Sequence, residues 1–176
     1  MATLITSADF IGQYLVSTTA QNVGQFSSLQ TNVENKWLND LLGTTLAPLF
    51  LANAAGNFGI PNDPEYLAIY NEIRLPECNG FENYSSGMKE MLIAMVWFEW
   101  HRFAPYTGTQ IGQRFQETTN SVAVGGNSFL FTQKYNLSIN NYKVIQKYIH
   151  QNLADYPDYT TLTKHYLTQL WRTLEP

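Results

Sequence analysis

Residues 88–103 read MKEMLIAMVWFEWHRF, and this stretch decides the fold because its apolar side chains fall on nearly every face of a helical wheel rather than on one stripe. A helix apolar all round is buried either in protein or in lipid. This one is too short for a bilayer and carries Lys89, Glu90, Glu99, His101 and Arg102 toward its ends. The expectation is therefore a central helix wrapped by other helices, with Trp97 and Trp100 filling the largest volumes. The implied fold class is mainly α, a helical bundle around a central buried helix.

Working back toward the N-terminus, Pro76 to Gly87 reads as a polar loop, with Ser86 positioned to cap the central helix. Asn62, Asp63 and Pro64 supply an N-cap and an early proline, which predicts a helix from Pro64 to about Ile73. Gly56 to Pro61 is a turn-rich break. Before it, Val23, Phe26, Leu29, Val33, Trp37, Leu38, Leu41 and Leu42 recur at three- and four-residue steps and Gly43 follows as a C′ residue, so this is the most secure amphipathic helix. Thr44 to Ala55 is expected to form a further short helix, with Pro48 tolerable only in its first turn. Ser7 is expected to cap a short helix that carries Phe10, Ile11, Tyr14 and Leu15 inward.

Beyond Phe103 the period changes. Ile111, Gln113 and Phe115 alternate with Gly112, Arg114 and Gln116, and after the turn-like Thr118 to Ser121 the same alternation returns at Val122 and Val124. One β-hairpin insertion is expected at about 109–124, followed by a Gly125–Gly126 hinge. Tyr135, Ile139, Tyr142, Ile145, Ile149 and Leu153 mark a long amphipathic helix. Leu162, Tyr166, Leu167 and Leu170 mark a shorter last one. With no internal repeat, 176 residues suit a single domain, 1–176.

Composition bounds the partners. Charged residues are 14% of the chain, against about 25% in ordinary domains, and the sixteen Asn and eleven Gln outnumber them. Amides are less costly to desolvate than ammonium or carboxylate groups, so such a surface is easily buried against another protein. The net charge of −4 argues against a nucleic-acid grip by the whole surface. It is divided, with −7 on residues 1–100 and +3 on residues 101–176, a division that suits contact between neighbouring copies. Cys78 is the only cysteine, so a reducing compartment suffices, and the N-terminus lacks the pattern of a signal peptide. A product of a cytoplasm, with no membrane segment, is expected.

Reactive constellations are missing. His101, His150 and His165 fall in separate segments, and Glu99 and His101 are two apart rather than at the i, i+4 spacing of a zinc pair, so no metal is expected. Gly125 and Gly126 lack both the Walker lysine and the dinucleotide spacing, and Cys78 has no sequence neighbour to activate it. Asp155 and Asp158 read as a solvated turn, and Lys143 with Lys147 as a solvated helix face. The expectation is a protein that is not an enzyme and holds no cofactor.

Several stretches, LITSADF (4–10), ENKWLNDLLGTTLAPLF (34–50), TQIGQRFQETTNSVAV (109–124), NNYKVIQKYIHQN (140–152) and YPDY (156–159), together resemble the head-to-tail connector, or adaptor, proteins of tailed bacteriophages. The likeness is to the ring proteins of crAss-like phages in particular. It implies a structural virion protein, assembled in the host cytoplasm, that forms a homo-oligomeric ring at the portal/tail junction. Such a ring contacts the portal and adjacent tail or ring proteins and lets DNA pass without reading its sequence. The candidate interface comprises the hairpin and two phenylalanines beyond the hinge: Ile111, Arg114, Phe115, Val122, Val124, Phe129 and Phe131. The alternative, from a different class, is a small-ligand-binding or enzymatic helical protein with an aromatic pocket at Trp97, Trp100 and Tyr106.

Overall fold

A computed structural model describes residues 3–16, 23–77, 80–103, 106–109, 112–115 and 127–159. The central helix, α3, spans Met88–Phe103, with α1 (Val23–Ala55) and α2 (Pro64–Tyr70) before it and α4 (Asn127–Gln151) after it. Every residue from Met91 to Trp97 is buried. The all-round apolar pattern is thus answered by packing on all sides, chiefly against α4 and α1. The fold is mainly α.

Gly43 divides α1. Its φ of 80° and ψ of 168° are open to glycine and interrupt the helix, so the chain turns an elbow there before continuing to Ala55. Ending a helix leaves carbonyls without amide donors. The buried Tyr142 of α4 supplies one replacement, its hydroxyl donating to the Asp40 carbonyl at 2.9 Å. Pro48 lies in the second limb of α1.

Two antiparallel hairpins flank α3. The first pairs β1 (Ile73–Pro76) with β2 (Glu82–Ser85) and replaces the expected polar loop; α2 accordingly stops at Tyr70, and Ile73 opens a strand. Alternation is present but short: Ile73 and Leu75 are buried while Arg74 and Pro76 are exposed. Gly87, rather than Ser86, precedes α3, with the Met91 amide bonded to its carbonyl at 3.2 Å. Asn141 of α4 holds Ser86 instead, accepting its amide at 3.2 Å and donating to its hydroxyl at 3.1 Å.

The second hairpin comes after α3 as expected but sits earlier. It pairs β3 (Tyr106–Thr109) with β4 (Gly112–Phe115), so Phe115 stands opposite Tyr106 and Arg114 opposite Thr107. Period-two alternation marks a strand but leaves its partner and register open. Val122, Val124 and the Gly125–Gly126 hinge, like the last helix expected near residues 162–170, lie outside the described residues.

The N-terminal strap, residues 3–16, is two 3-10 turns rather than one helix, and the first begins after Thr6 rather than Ser7. Asp9 folds back on Thr6, its carboxylate accepting the Thr6 amide at 2.7 Å. Phe10 and Tyr14 are buried, whereas Ile11 and Leu15 are 69% and 68% exposed, because the break at Ile11 rotates them away from the core.

Candidate functional site

The expected interface is described only in part. Ile111, Val122 and Val124 lie outside the described residues, and for Arg114, Phe115 and Phe129 the backbone alone is placed, in β4 and α4. Phe131 is placed, half-buried against its own chain. Helix α4 starts upstream of the expected boundary, which brings the Phe131 ring 5.5 Å from Trp97 and 6.1 Å from His101. Of the residues expected to line an aromatic pocket, Trp97 and Trp100 are both buried, and Phe26 meets Trp100 edge-on at 5.1 Å.

A groove lies elsewhere. The elbow of α1 opens a cavity of about 530 Å³ between its two limbs, lined by Asn35 and Leu38 on one side and Ala47, Leu51 and Ala55 on the other. Three residues past Ala55, Phe58 stands 99% exposed. Its φ of 51° is left-handed, a conformation that costs a side chain and is free to glycine. The turn is fixed by the Gly59 amide bonding to the Ala54 carbonyl at 3.2 Å and the Ile60 amide to the Asn57 carbonyl at 2.9 Å. Gly59 in turn lies against the strap, where a Cβ would come 2.8 Å from the Thr3 carbonyl.

The most unusual buried chemistry sits under that strap. Glu34 of α1 is 1% exposed. Its Oε1 accepts the Leu4 amide at 2.6 Å, and one turn earlier the Gln30 amide nitrogen donates to the Ile5 carbonyl at 2.7 Å. Oε2 is buried with no hydrogen-bond partner among the described residues. Burial pushes the Glu34 carboxyl up to about 7, against the pull of the Leu4 and Ile5 amides. Neither Gln30 nor Glu34 stands out in the sequence as a candidate, although both share the inward stripe with Phe26, Trp37 and Leu41. A polar pair at core phase was the available signal.

Further along the strap, Asp9 meets Lys89 of α3 at 2.6 Å. Burial works to raise the Asp9 carboxyl, but the Lys89 ammonium and the Thr6 bonds outweigh it and hold it below the ordinary range. Tyr14 receives the Lys134 ammonium 4.0 Å over its ring. His101 closes α3, its Nδ1 2.9 Å from the Trp97 carbonyl, and burial holds its imidazole below the usual value.

Among the described residues no group of three His, Cys, Asp or Glu side chains stands close enough to hold a metal ion. No described helix is long and apolar enough to cross a membrane. Asp155 and Asp158 are exposed on their turn, and Lys147 is engaged with Glu77 at 3.1 Å. Comparison with family models, curated proteins and solved structures gives no match.

Proposed function

We propose that this chain is a structural virion protein whose copies form a closed ring at the portal/tail junction of a tailed phage, extending the channel through which DNA passes. The sequence resemblance supplies the setting, and the amide-rich, charge-poor surface suits burial between subunits. The observation that carries the associative part is Phe58. A fully exposed phenylalanine on a left-handed backbone gives its own subunit nothing in burial and costs about 1–2 kcal/mol in conformation. A neighbouring protein that covers the ring accounts for both. Portal and adjacent tail or ring proteins are the further partners of this reading, and DNA is contacted without sequence preference.

Substituting Phe58→Gly separates the two roles. The variant should melt at or slightly above the wild-type temperature, because the backbone strain is relieved, while light scattering shows weakened association. Association equal to wild type removes Phe58 from the interface.

The elbow groove favours a second reading, a binder of a small apolar ligand, because its volume and largely apolar lining suit one. An apolar fluorescent probe that binds the monomer and is displaced on Leu51→Trp supports that reading. No binding by the monomer removes it.

A further inference from the structure

The strap is joined to every long helix of the bundle, and its joints differ in kind. Phe10 meets Phe26 of α1 with ring centres 5.0 Å apart, Asp9 pairs with Lys89 of α3, and Tyr14 stacks under Lys134 of α4. The ring contact of Phe10 carries no charge, and the Asp9–Lys89 pair keeps its charge from mildly acid to mildly alkaline solution. The fourth joint does not. At Leu4 and Ile5, both buried, the main chain is tied to the carboxyl of Glu34 and the amide of Gln30. A carboxylate there strands a charged oxygen, Oε2, with no partner among the described residues and almost no water. A carboxyl strands only a neutral one, which is much the smaller penalty. Lifting residues 3–5 readmits water and removes the difference.

We propose that residues 3–5 are a proton-controlled latch, held shut on α1 by neutral Glu34 and loosened when Glu34 ionises. Below the ordinary carboxyl value of 4.5 both latched and unlatched forms carry the proton, and the latch is at full strength. As pH rises toward about 7 the unlatched form has lost its proton while the latched form retains it, so the latch weakens. Above that both are ionised and the weakening is complete. The surrounding groups do not compete. Tyr70 of α2 is raised by burial and stays neutral here, and the Asp9–Lys89 pair stays charged. His101 of α3 works with the opposite sign, because its depressed imidazole weakens the fold on acidification. The latch bears on association as well, since the same strap carries Ile11 and Leu15 outward and packs against the turn that holds Phe58. The latch itself does not require the ring, because its ties and its burial lie within one chain.

Native-state hydrogen exchange of the Leu4 and Ile5 amides in the full chain, from pH 5 to 8 and corrected for intrinsic exchange, reads the latch. The opening constant should rise about tenfold per pH unit up to about 7 and then level off. Glu34→Gln keeps the shape of the side chain and should give a flat profile. Gln30→Leu removes the other tie and should raise opening by the same factor at every pH while leaving the slope. A flat wild-type profile, or a Glu34→Gln profile that retains the slope, overturns the proposal. So does an identical pH response at the Met95 amide of α3, which would report the whole molecule opening rather than the strap.

Discussion

Trp97 shows how single side chains hold this molecule. It is buried on α3 between His101, 4.2 Å away ring to ring, and Phe131 of α4, so truncation leaves a large cavity between two helices. Trp97→Ala should cost about 3–5 kcal/mol, a sizeable part of the about 5–15 kcal/mol that holds a domain together. For a chain of this size the melting temperature should fall by about 10 °C in a calorimetric scan. A fall of a degree or two would contradict the packing described for α3. Trp97 was legible in the sequence because an unbroken apolar run leaves a tryptophan nowhere to go but inward. Glu34 was not, because its type argues for the surface and only its phase on α1 argues for the core. The two signals conflict, and the helix phase won.

Among elements, helices were easier to read than hairpins for a physical reason. The helical period repeats over several turns, and Gly43 marks the end of one limb of α1 by a conformation other residues reject. Strands of four residues give two inward positions each, which is too few to fix a partner. The hairpin of β1 and β2 is illegible for that reason, and the alternation after α3 marks the strand β4 without revealing β3 as a partner. The joint between the first hairpin and α3 is Gly87, with φ of 98° and carbonyls of Tyr70 and Asn71 where a Cβ would go. Both obstacles are backbone, so Gly87→Ala should cost at least about 2 kcal/mol, seen as a lowered midpoint in urea. An unchanged midpoint would mean that α2 can yield. The second hairpin gives a prediction of the opposite kind. If β4 presents Phe115 to a neighbour, Phe115→Asp should leave helical circular dichroism and melting temperature near wild type while abolishing association. Unfolding of the variant would place Phe115 in its own core instead.

At the scale of the whole molecule, one contiguous core runs from the strap through α1 and α3 to Tyr156 and Tyr159. What lies outside that core is apolar in unusual places: Phe58, Phe81, Ile11 and Leu15 are all exposed. Scattered exposed leucines are ordinary, but a fully exposed phenylalanine on a left-handed turn is not. A subunit that associated through two unlike surfaces, as proposed for the Phe58 turn and the second hairpin, would build a ring or a filament. The ring is therefore the claim to test, and electron microscopy of the purified chain, alone and mixed with a phage portal, tests it most directly. Class averages should show closed rings of about twelve copies, coaxial with the portal where it is present. Isolated 20.1 kDa monomers in both samples, with bare portals in the second, would contradict it.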